Sequence, residues 1–91
     1  MTSVVINMYE YKSQLELYQS LIPALNVKIK YLRKNKIKEI TKEDIWNYLK
    51  ETKWKNSINL TLADMVQDIL HTDNGELTEY KNKNKKISIF N

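Results

Sequence analysis

Apolar residues recur at intervals of three and four along most of the chain, and strict alternation is confined to short runs, so the hydrophobic pattern predicts helices. Met8, Tyr11, Leu15 and Tyr18 mark a first amphipathic helix from about residue 7 to residue 19. Ile22, Leu25, Ile29 and Leu32 carry the same phase to about Lys34, with Pro23 between the two runs. If Ser20 caps a new helix, Pro23 falls in its first turn, where the missing N–H has no intrahelical partner to lose. The alternative is one long helix kinked at the proline. Asn35 is then the left-handed terminator.

The best-signed helix starts at Thr41. Thr41 with Asp44 three residues on forms a capping box, and Ile40 and Ile45 flank it as a hydrophobic staple. Ile45, Tyr48, Leu49 and Thr52 make its inward stripe. The same arrangement returns twenty residues later, where Leu60, Thr61, Asp64 and Met65 repeat staple, cap, acid and staple partner. There Leu62, Met65, Val66, Ile69 and Leu70 give a broad apolar face. Asn74-Gly75 is a turn signal. Beyond it, residues 77–80 suit one more helical turn, residues 81–86 read as a solvated basic linker, and residues 87–90 alternate like a short strand. The expected fold is all-α, a small bundle of about four amphipathic helices over residues 1–75 with a lysine-rich tail at 76–91. A short β pairing of residues 4–6 with 87–90 stays open.

Ninety-one residues suffice for one modest core. A single Gly and a single Pro speak against a turn-rich β architecture, and the absence of Cys leaves no disulfide, thiol nucleophile or thiolate metal site. Residues 1–9 carry neither a basic n-region nor a long apolar run, and no stretch approaches the roughly 18 apolar residues of a membrane span. The expected location is the cytoplasm. Net charge is +4, unevenly spread: −1 over residues 1–26, +6 over 27–55, −5 over 56–80 and +4 beyond. A basic middle of this kind suits phosphate or acidic partners.

At about 100° per residue, Trp46, Lys50, Lys53 and Trp54 share one flank of the helix from Thr41, off its inward stripe. Rings beside lysines suit single-stranded RNA, since bases stack and ammonium groups meet phosphates. Lys34, Lys36, Lys38 and Lys55 extend that candidate surface. The plainer reading packs Trp46 at a helix boundary, folds Trp54 back as a lid and leaves the lysines solvated. Asp64, Asp68 and His71, at i, i+4 and i+7, form a second, acidic candidate surface for a basic partner. As a metal site one imidazole with two carboxylates is poor, so no metal and no cofactor is expected. Nor is an enzyme expected, because there is no second His, no Cys and no glycine-rich phosphate loop. Reading the two capped helices as a helix-turn-helix fails on charge. The second carries Asp64 and Asp68 outward and no Lys or Arg, which repels a duplex.

The run Leu21-Ile22-Pro23-Ala24-Leu25, the stretch Lys36-Ile37-Lys38-Glu39-Ile40-Thr41-Lys42-Glu43-Asp44-Ile45-Trp46-Asn47-Tyr48-Leu49-Lys50, then Lys53-Trp54-Lys55 and a helix ending Asp68-Ile69-Leu70 together resemble the ComN-type post-transcriptional regulators of Gram-positive bacteria, over residues 15–72. The resemblance implies a small helical cytoplasmic protein that adjusts gene expression after transcription, with competence genes as targets, and brings no catalytic motif. It also implies an aromatic-rich C-terminal helix, where this chain has His71-Thr72-Asp73-Asn74-Gly75 and a lysine-rich tail. Two functional classes follow. One is a non-enzymatic regulator acting on single-stranded RNA or an mRNA-associated complex through the Trp46/Lys50/Lys53/Trp54 flank. The other is a protein adaptor that docks a coiled-coil scaffold or another partner with the same flank. An amphipathic bundle of this kind also suits a homodimer.

Overall fold

The computed structural model describes residues 14–89, with side chains through residue 83. It contains four helices, α1 (Gln14–Lys34), α2 (Lys42–Glu51), α3 (Leu62–Leu70) and α4 (Asn74–Ile89), and no strand among the described residues.

One helix, not two, spans Pro23. Leu17, Leu21, Leu25, Lys28 and Leu32 are buried along a continuous stripe, and a break at the proline would swing half of it out of register. Pro23 itself faces solvent, where the carbonyl it leaves unbonded can reach water. Ser20 is no cap; its hydroxyl donates back to the Glu16 carbonyl at 3.0 Å. The stripe keeps the expected Leu25 and Leu32, with Tyr18 and Ile29 packed against it, and turns Leu15 outward at 62% exposure. Met8 and Tyr11, which share the expected run with Leu15, lie outside the described residues.

At the end of α1 the left-handed residue is Lys36 (φ 65°), one place after the Asn35 expected. Ile37 N–H reaches Leu32 O at 2.9 Å and Lys36 N–H reaches Arg33 O at 3.0 Å, the paired bonds of a Schellman ending. Asn35 instead turns its amide back onto Tyr31 O at 2.8 Å. Arg33 closes the connection by donating to the carbonyls of Ile37 and Ile40, each at 3.1 Å.

Both capping boxes close with Asp. Thr41 N–H meets Asp44 Oδ2 at 2.9 Å and Asp44 N–H meets Thr41 Oγ1 at 3.2 Å; at Thr61 and Asp64 the corresponding distances are 3.2 and 3.0 Å. From these starts α2 runs into the middle of the bundle, packing on α1, α3 and α4, while α1 also packs on α3. A helix with three neighbours buries more than one stripe. Ile45, Trp46 and Leu49 are therefore inside, with Tyr48 half-buried and Thr52 exposed.

The region expected to be a solvated linker and a strand is α4. Asp73 caps it, accepting from Glu76 N–H at 2.9 Å, so Asn74-Gly75 opens a helix instead of a free turn. Leu77 is fully buried. Three polar side chains near Leu77 on α4 find partners on α2: Tyr48 donates to Glu76, Tyr80 to Glu51 at 3.1 Å, and Lys81 to Asp44 at 2.9 Å. Residues 87–89 are helical, which removes the strand, and its expected mate at 4–6 lies outside the described residues.

Candidate functional site

The two tryptophans that define the expected contact flank are buried, at 7% and 3% exposure. Trp46 lies edge to face with Tyr18 of α1 (centroids 5.4 Å apart, planes at 80°) and with Trp54 (5.8 Å, 71°). Trp54 reaches that place because its N–H bonds Leu49 O at 2.8 Å, which folds the chain back beneath the end of α2. Its indole nitrogen then donates to Asp68 Oδ2 at 2.8 Å. Neither ring is open to a base, which corrects the stacking alternative and leaves the plainer one, with Trp46 packed between helices and Trp54 folded back. Periodicity placed Trp46 and Trp54 off the inward stripe of α2; it carried no information about Tyr18 and Asp68, which cover them.

Lys50 is turned to the same interior task. Its ammonium stands 5.5 Å from the Trp46 ring and donates to Gln14 Oε1 at 3.1 Å. Lys53 pairs with Asp68 Oδ1 at 2.9 Å, although most of its side chain is in solvent. Lys34, Lys36, Lys38 and Lys55 are exposed and make no ion pair among the described residues. The first three stand at the end of α1 and in its connection to α2, and Lys55 in the connection from α2 to α3.

The acidic trio is also divided. Asp64 is the acid of its own capping box, Asp68 holds Trp54 and Lys53, and His71 caps the C-terminus of α3 with an exposed side chain. Among the described residues no three His, Asp or Glu side chains are placed to hold one ion.

Lys28 had no role in the sequence reading, yet it is 3% exposed. Its ammonium donates to Thr72 O at 2.8 Å and approaches Leu70 O at 3.5 Å, closing the end of α3, and it lies 4.9 Å from the Tyr31 ring. Burial lowers its pKa, with nearby Asp73 acting in the opposite sense. The available signal was a cation in phase with Leu21, Leu25 and Leu32.

Three tyrosine–carboxylate bonds were likewise invisible in sequence. Besides the two on α4, Tyr18 donates to Glu43 at 3.2 Å, and burial followed by that carboxylate raises its pKa. For Tyr48 the bond to Glu76, then burial, raises the phenol to about 12.

A family model described as Post-transcriptional regulator matches residues 15–86. The chain belongs to that family. The match runs past the end of α3 and takes in most of α4, so the C-terminal helix is part of this regulator's family pattern despite its lysines. No curated protein and no solved structure matches the chain. Among the described residues no helix is long and apolar enough to cross a membrane.

Proposed function

We propose that this post-transcriptional regulator works without catalysis, in the cytoplasm, by contacting single-stranded RNA directly through the lysines at the end of α1. The observation that carries the reading is that Lys34, Lys36 and Lys38 stand exposed within five residues, with no carboxylate paired to them among the described residues. The Schellman ending fixes the backbone under Lys36, so that part of the cationic surface is ordered before a phosphate arrives. Lys55 adds charge beyond the far end of α2, where Lys53 is already paired with Asp68. Direct competence-gene targeting and a ComN-type role belong to this same proposal.

The test is binding of a labelled single-stranded RNA at low and moderate salt. Cationic contacts release counterions, so affinity should fall steeply as salt rises. Reversing Lys34, Lys36 and Lys38 to Glu together should flatten that slope and abolish most binding. Salt-independent binding, or none, would refute the proposal.

The adaptor reading has one observation of its own. Ile58 is 85% exposed in the connection between α2 and α3, beside an Asn59 held at φ 59°. Protein partners that survive ribonuclease and are lost on Ile58→Ser would favour it.

A further inference from the structure

Among the described residues the aromatic ring most open to solvent is Tyr31, at 50% exposure. It walls a groove of about 490 Å³ between α1 and the junction of α3 with α4. Val27, one turn earlier on the same face of α1, is 57% exposed and continues that wall. Lys28 forms part of the lining, its ammonium fixed on Thr72 O and set against the Tyr31 ring. The ring is thereby braced before anything binds, which lowers the ordering cost of stacking on it.

Charge is divided across this groove. Lys30 and Lys34 stand exposed on α1, one residue before Tyr31 and three after it. The opposite wall carries Asp73 and His71. A phosphate backbone is drawn to the α1 side and repelled by the Asp73 carboxylate, an arrangement that points the base inward. A carboxylate accepts hydrogen bonds and cannot donate them. Every base offers it a donor, the exocyclic amine of A, C and G or the N3–H of U, so the carboxylate orients the base while stacking on Tyr31 ranks purines above pyrimidines.

We propose that this groove takes one base of single-stranded RNA, a purine by preference, stacked on Tyr31, with its flanking phosphates on Lys30 and Lys34. The proposal rests on the RNA reading above and supplies it with a stacking ring, the role that buried Trp46 and Trp54 do not fill.

The experiment uses the full chain with fluorescein-labelled oligoadenylate and oligouridylate, read by anisotropy. Wild type should prefer oligoadenylate. Tyr31→Ala should weaken oligoadenylate binding roughly 5- to 100-fold, the range for loss of one stacked base, while Tyr31→Phe keeps it. Asp73→Asn preserves the cap of α4 and should strengthen binding of both RNAs, because it removes the carboxylate that repels their phosphates. Circular dichroism of each variant should overlay that of wild type, since Tyr31 and Asp73 are both exposed. Salt-dependent binding that Tyr31→Ala leaves intact would overturn the groove and spare the lysine surface. Absence of RNA binding by wild type would remove both. Loss of a ribonuclease-resistant protein partner on Tyr31→Ala, with RNA affinity unchanged, would reassign the groove to protein and overturn the proposal.

Discussion

Trp54 and Asp68 are joined by a 2.8 Å bond from indole nitrogen to carboxylate, and the second oxygen of that carboxylate holds Lys53 at 2.9 Å. One acid on α3 thus fastens two residues of the connection that follows α2. Asp68→Ala leaves a buried N–H without an acceptor and should cost about 1–3 kcal/mol. Asp68→Asn retains an acceptor and should cost less. Urea midpoints rank the two variants, and a red shift of Trp emission in Asp68→Ala reports the loosened indole. Equal stability of Asp68→Ala and wild type would show the bond to be dispensable.

Leu77 decides whether residues 76–91 belong to the folded unit. Truncating this fully buried side chain to Ala should cost about 2–5 kcal/mol, as for other core leucines. A chain shortened to residues 1–75 should lose more, because Tyr48 and Asp44 also lose Glu76 and Lys81. Thermal melts of both proteins give the answer. An unchanged midpoint in the shortened chain would restore the tail to the status of an appendage.

Tyr48 gives the fold an alkaline limit. Its phenol is raised from 10.0 to about 12 in the fold, chiefly by the bond to Glu76. A raised value means the native state holds its proton more tightly than the unfolded chain. The contribution is fully present below pH 10.0 and drains away as pH rises toward about 12. In Tyr48→Phe that fall should disappear from the difference between the stability curves of wild type and variant.

Lys28 acts in the opposite sense. Its pKa is lowered by burial from 10.5, so over the window below that value the native state binds fewer protons than the unfolded chain. Stability then rises with pH through this window. Lys28→Met should abolish the rise, which is visible as a difference curve against wild type at pH values below the onset of Tyr48 ionisation. A flat difference curve would mean that the ammonium is better hydrated than its surroundings indicate.

At the acid end, Asp44 sets the slope. Burial alone would raise its carboxyl, but the Thr41 backbone N–H and Lys81 outweigh that and bring it below 3.8. Its share of stability is present above 3.8 and is lost as pH falls through the lower folded value. Asp44→Asn should be the less stable protein at neutral pH and should converge on wild type in acid.

Local signals were the legible ones. Thr41 with Asp44 and Thr61 with Asp64 lie within one turn of each other, so sequence spacing alone specifies their contacts, and α1, α2 and α3 follow from such spacing. α4 was missed because its buried anchor, Leu77, stands among polar residues whose partners, Tyr48, Glu51 and Asp44, lie about thirty residues away. For Trp46 and Trp54 the sequence leaves two readings, packed or exposed, and burial decides for the packed one, with Trp54 beyond the end of α2. A helical wheel shows which way a ring points and nothing of what is packed against it. Lys28 illustrates the converse, since its charge argued for solvent while its phase argued for the core, and the carbonyls of Leu70 and Thr72 settled the contest.

Asp44 Oδ2 receives two donors from distant parts of the chain, the Thr41 N–H that opens α2 and the Lys81 ammonium of α4. The two contacts are therefore thermodynamically reciprocal. A partner that lifts Lys81 away leaves the Asp44 carboxylate to the first turn of α2 alone. The chain's C-terminal helix and its central helix read each other through one oxygen atom.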